Sequence, residues 1–207
     1  MTRHSLLCSN CRRLISRDES YCPYCGLSRP GSSLKVLPLR WLTALSAQWL
    51  HIVIFANAVL YVLSLILNPA ALGMSANPLT FLSPSDQSLF LLGATGTIPI
   101  NQFGRWWTIL TASYLHGGIL HIFFNMAALS QLGPFILSEF GASRFLILYI
   151  SSGVMGFVLS YLAGVPFTIG ASASICGLIG AILYYGKSRG GFLGDAICRQ
   201  ALGWVIG

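Results

Sequence analysis

The sequence predicts an all-α polytopic membrane protein with a small N-terminal metal ribbon, and three observations predict it. Of the 207 residues, 55% are hydrophobic and 8% charged, whereas a soluble domain uses about a quarter charged residues to cover its surface. From Trp41 to Ser85 the chain carries no charged residue at all. Four of the six cysteines stand in two pairs ahead of that apolar run. With a mean hydropathy of +0.72, an ordinary soluble enzyme and a disordered tail are both excluded.

The ribbon comes first in the chain. Cys8-Ser-Asn-Cys11 is followed, ten residues on, by Cys22-Pro-Tyr-Cys25-Gly26. Thiolates two residues apart reach one ion, and two such pairs complete a tetrahedral zinc shell. Gly26 suits the tight turn that aims backbone amides at sulfur. Two disulfides in an exported domain are the other reading, and a reducing cytoplasm favours zinc. Residues 1–30 are too few for a core of their own, so metal binding and folding should be one event. The expected zinc is structural, with Cys8, Cys11, Cys22 and Cys25 as ligands. Cys176 and Cys198 stand alone and read as small apolar residues.

A basic linker, 31–40, leads into the membrane domain, 41–207. Residues 1–40 hold Arg3, Arg12, Arg13, Arg17, Arg29, Lys35 and Arg40 against Asp18 and Glu19, so most of the net charge of +7 lies there. Positive flanks stay cytoplasmic, which places the N-terminus inside. Nucleic-acid binding would also use a basic patch but explains nothing about the rest of the chain, so no nucleic acid is expected.

Spans are expected over 41–67, Ile119–Leu137, Phe145–Ala163 and Ile169–Tyr185, with a fifth beginning near Gln200. Residues 68–115 are mixed and read as a long loop sunk partly in the interface, where Trp106, Trp107 and Tyr114 belong. Glu139, Arg144, Lys187, Arg189 and Arg199 then fall on the inner side with the N-terminus. The small residues Ser152, Gly156, Ser160 and Gly164, and Ala173, Gly177 and Ala181, recur every four positions and let helix backbones approach closely.

Polar groups inside spans are costly and need a reason. The second span opens His116-Gly-Gly-Ile-Leu-His121-Ile-Phe-Phe-Asn125, and the fourth contains Ser172. His121 and Asn125 lie about 40° apart on one helix face, and His116 belongs at the helix entrance. Both spans start outside, so Ser172, His121 and Asn125 share a depth. A hydroxyl to attack and two donors for an oxyanion suit acyl transfer, helped by the positive end of the fourth helix. Hydrogen bonding between helices is the plainer alternative. Ser174, the rival nucleophile, lies about 200° from Ser172 around the helix. No His-Glu-x-x-His occurs, and Asp86, Glu139 and Asp195 are expected in loops, so metalloprotease and aspartyl chemistries are excluded.

His116-x4-His121-x3-Asn125 followed by Gly170-Ala-Ser172 and the Gly-rich run to Ala181 resembles the rhomboid intramembrane serine proteases. Trp106-Trp107 and Phe140-Gly-Ala-Ser-Arg144-Phe support the match, which covers roughly residues 100–185. The resemblance implies a six-helix bundle, four helices complete here and a fifth begun, and a Ser–His dyad with Ser172 as nucleophile. His121 and Asn125 would hold the oxyanion. Transmembrane segments of other proteins would be the substrates, cut near the outer face of the cell membrane. Ala173 stands where the family has glycine, and Trp107-Thr108 where it has Trp-Arg, with Arg105 displaced. The family's basic histidine lies in its sixth helix, hence beyond residue 207, and the chain as given is expected to be inactive. The alternative is a non-catalytic rhomboid-like protein that binds membrane clients.

Overall fold

A computed structural model describes residues 5–8, 10–11, 13–16, 19–28, 46–71, 73–74 and 81–206. The linker expected at 31–40 and the expected start of the first span at residue 41 lie outside these residues. The chain forms two compact units, Met1–Ser46 and Ala47–Gly207.

In the first unit, β1 (Ser5–Leu7) pairs antiparallel with β2 (Leu14–Ser16). Side chains alternate between faces of a strand. Leu6 and its partner Ile15 therefore turn inward onto Cys8 and Cys22, while Leu7 and its partner Leu14 turn outward. The two cysteine turns are closed by backbone bonds, Cys8 N–H to Arg13 O (2.9 Å) and Cys22 N–H to Leu27 O (2.8 Å). Gly26 has φ +71, the left-handed conformation that glycine adopts without strain.

The second unit is a helical bundle. Its first helix is α1 (Ser46–Ile66), followed by a hairpin of β3 (Gly73–Met74) and β4 (Phe81–Ser83). Three short helices come next: α2 (Asp86–Leu92), α3 (Thr97–Phe103) and α4 (Thr108–Thr111). Four long ones close the unit: α5 (Ile119–Phe140), α6 (Ala142–Leu162), α7 (Ser172–Arg189) and α8 (Gly191–Ile206). Three of the described helices are long and apolar enough to cross a membrane: Gln48–Ile66, Ile119–Phe140 and Ala142–Leu162. The protein is an all-α polytopic membrane protein, as its composition requires.

α7 is the least apolar of the central helices, yet it packs at the middle of the bundle. Its Leu178, Ile179 and Ile182 are buried with Leu129 and Ile136 of α5 and Tyr149 of α6. Small residues make the approach possible. A Cβ placed on Gly177 would collide with the Ser152 side chain, and one on Gly156 would stand 2.5 Å from Ala173 Cβ. Gly177→Val is therefore expected to destabilise the α6–α7 seam by about 1–3 kcal/mol, read as a lower Tm in detergent.

Several sequence expectations are corrected. Residues 68–115 are not a plain loop, because Ser85 caps α2 by accepting from Ser88 N–H (3.2 Å) and short helices follow. The helix expected as the fourth span starts at Ser172 rather than Ile169, since Thr168 is held in extended pairing with Thr95 and Gly170 sits at φ +125, and it is not among the three described helices that are long and apolar enough to cross. The fifth helix starts at Gly191, well before Gln200. Asp86, Glu139 and Asp195 all lie in helices rather than loops: Asp86 opens α2, and α5 and α8 run past the apolar stretches that suggested their limits, which puts Glu139 inside the apolar helix Ile119–Phe140. Glu139 ends α5 against Arg189 of α7, 3.8 Å away, and accepts from Tyr185.

Candidate active site and metal ribbon

The bundle brings His121 and Ser172 to the two sides of Gly170, with Asn125 one turn further along the helix that carries His121. α5 places His121 in its first turn and Asn125 one turn further in, buried. Gly117 N–H donates to His121 Nδ1 (3.3 Å), so a neutral ring carries its proton on Nε2. That nitrogen points at the start of α7. It lies 3.0 Å from the point a Cβ on Gly170 would occupy, and Ser172 Oγ lies 3.7 Å from the same point. Any side chain at 170 would fill the gap between imidazole and hydroxyl. Asn125 Nδ2 donates to His121 O (2.8 Å), which spends one amide hydrogen on its own helix and leaves the other.

Ser172 opens α7 and is exposed, whereas Ala171 before it is fully buried. The N–H groups of a first helical turn have no intrahelical partner, so the hydroxyl stands in a partly positive field. Ser174 is fully buried with its Oγ unpartnered, which removes it as a nucleophile facing a cavity. His116 is likewise fully buried, its ring 5.1 Å from that of His121 in an edge contact. His51 lies on α1 and is exposed.

The segment that presents Ser172 is braced from the side. Thr95 N–H donates to Thr168 O (3.1 Å) and Thr168 N–H to Thr95 O (2.7 Å). Thr97 N–H reaches Val165 O (2.9 Å), and Gly170 N–H reaches Ala112 O (2.9 Å). Arg105 holds the bracing loop in turn. Its guanidinium donates to Phe90 O (2.6 Å) and Leu91 O (3.3 Å) and covers the faces of Phe90 and Trp107. Thr108, in the position where arginine was expected, is buried and donates to Thr95 Oγ1 (3.0 Å). Sequence reasoning noted Arg105 only as displaced. A lone cation between an apolar stretch and two tryptophans was the available signal. Removing it by Arg105→Ala should uncap the α2 carbonyls and loosen the Thr95–Thr168 bridge, seen as faster amide exchange at 95–98.

In the ribbon the four sulfurs of Cys8, Cys11, Cys22 and Cys25 lie within 4.8 Å of one another. Cys8 Sγ is 3.6 Å from Cys25 Sγ, and Cys11 Sγ is 3.6 Å from Cys22 Sγ. These are not disulfides, whose S–S bond is about 2.05 Å. They approach the edge of about 3.8 Å that a tetrahedron of about 2.3 Å metal–sulfur bonds has, so the donor set fits a metal. The Leu27 N–H, helped by Asn10 and the nearby sulfurs, lowers the Cys25 thiol to about 6. The Arg13 N–H favours the Cys11 thiolate, but desolvation and the neighbouring sulfurs outweigh it and raise that thiol to about 11. Four crowded sulfurs cannot all ionise unless a cation shares their charge.

Comparison with known proteins bears on the membrane unit. Residues 103–207 match the family model described as Rhomboid domain. The chain is 37% identical over 107 residues to the "Rhomboid protease GluP" of Bacillus subtilis, covering 52% of this chain and 21% of that protein. It is 34% identical over 112 residues to the "Inactive RHOMBOID-like protein 8" of Arabidopsis thaliana, covering 53% and 31%. It is also 33% identical over 95 residues to the "Putative rhomboid protease YdcA" of B. subtilis, covering 44% and 47%. The chain thus spans less than half the length of these relatives.

Proposed function

The chain belongs to the rhomboid family, and on that footing we propose that it is the serine-bearing part of an intramembrane endopeptidase that cuts transmembrane segments of other proteins. One observation carries the reading: His121 Nε2 and Ser172 Oγ lie 3.0 and 3.7 Å from the point a Cβ on Gly170 would occupy, with the imidazole presented as a donor. A donor cannot take the serine proton and His116 is sealed in the core, so on this reading the base of the dyad is proposed to be a histidine other than these two.

Ser172 Oγ attacks the scissile carbonyl as that base takes its proton. The carbonyl oxygen gains negative charge, held by His121 Nε2–H, the free amide hydrogen of Asn125 and the first N–H groups of α7. Collapse breaks the C–N bond, and the leaving amine takes the proton from the base. Water then hydrolyses the acyl ester. Asn125 is buried, and the low local dielectric around it strengthens its hydrogen bond.

The protein is proposed to sit in the cell membrane with its basic N-terminus cytoplasmic, the site facing outward, and the bilayer and client proteins as partners. The ribbon is proposed to bind one structural zinc through its four cysteines, with no role in the chemistry. The second reading, a non-catalytic client-binding protein, draws on one of the relatives above being named inactive. Fluorophosphonate labelling of the protein with its base present separates the two. Labelling that disappears in Ser172→Ala supports the enzyme, while equal labelling of both forms, or of neither, removes it.

A further inference from the structure

The ribbon leaves its outer face uncovered within its own unit. Leu7 and Leu14, directly opposite each other across the hairpin, are 61% and 65% exposed, and Tyr21 and Tyr24 are 59% and 57% exposed. A unit that turns Leu6 and Ile15 inward has no packing reason to leave a leucine pair in water, and its small size makes that loss proportionately large. A cation stands beside this face. Arg13, next to Leu14, stacks over the Tyr24 ring at 4.8 Å. Residues 1–40 carry seven Lys and Arg against two acidic residues.

Leucines for the acyl boundary, tyrosines for the headgroup level and arginines for phosphates are the three chemistries of an anionic lipid surface. Chain length brings that surface within reach. The ribbon ends at Ser28 and the first membrane helix begins at Ser46, so residues 29–45 allow at most about 60 Å of separation. Such a tether raises the effective lipid concentration seen by the ribbon and makes weak contacts sufficient. We propose that the Leu7–Leu14 face of the ribbon docks on the anionic headgroups of the membrane that its own chain spans. This rests on the metal-held ribbon and cytoplasmic N-terminus proposed above, and it assigns the ribbon a surface where those readings assign only a ligand set.

The test is tryptic cleavage after Arg13 in the whole chain, reconstituted in nanodiscs of phosphatidylcholine alone or mixed with phosphatidylglycerol. Cleavage is expected to be at least about tenfold slower with the anionic lipid at low salt, and to recover at high salt as charges are screened. Leu7→Glu with Leu14→Glu should abolish the protection, and because both side chains already face solvent the double variant should keep its metal. Equal cleavage in the two lipids overturns the proposal, as does protection that ignores salt. Zinc content of the same samples separates the failures. A metal-free ribbon overturns the fold beneath the proposal, and a metal-loaded ribbon cut equally in both lipids overturns the docking alone.

Discussion

On the proposed reading as a protease, His121→Ala is expected to slow peptide-bond hydrolysis about 100- to 1000-fold, the usual cost of losing one oxyanion donor. KM should change little, because the donor acts on charge that develops only in the transition state. His121→Gln is the informative companion, since an amide hydrogen can replace Nε2–H while it cannot act as the base. Partial recovery of kcat with glutamine identifies a donor. Complete loss in both variants would instead mean that His121 takes the serine proton, which would undo the tautomer argument built on the Gly117 N–H contact. Tm should accompany each rate, because His121 also packs edge-on against His116.

Removing zinc is expected to unfold the ribbon and leave the helical unit intact. Structural zinc binding in small domains supplies about 10–16 kcal/mol, comparable with the whole stability of an ordinary domain. The buried set beneath the hairpin is Cys8, Ile15 and Cys22, with Leu6, Cys11 and Leu27 against it. Without the metal, little holds that set together. A strong chelator should therefore collapse amide protection at 5–28 while protection in α5, α6 and α7 is unchanged. Purified protein should carry about one zinc per chain and release it on Cys22→Ser. Zinc content near zero would refute the assignment. Acidification should release the metal as well, because protons compete with the ion for all four thiolates.

Much of this was legible in the sequence because the signals were local. The apolar stretches marked the long helices, although their ends drifted wherever a helix ran past its apolar segment, as at Glu139 and Asp195. Cysteine spacing found the four sulfurs that come together. Helical geometry set His121 and Asn125 on one face and put Ser172 and Ser174 on opposite ones, and the two serines are indeed exposed and buried respectively. What stayed hidden is non-local. The pairing of Thr95 with Thr168, the Gly170–Ala112 bond and the hold of Arg105 on α2 join segments with no common pattern. The turn that makes His121 a donor rests on one backbone N–H, at Gly117, whose direction no residue type announces.

The Thr95–Thr168 bridge has a consequence for biogenesis. It closes a loop of about seventy residues, so it cannot form until the segments that bear its two ends are both inserted. Each long helix can enter the bilayer early, on local information alone. The position of Ser172 is fixed by the slow, high-contact-order step instead. A nascent chain would then pass through a membrane-inserted stage in which the long helices are present and Ser172 is not yet set beside His121, so that this pairing would mature last.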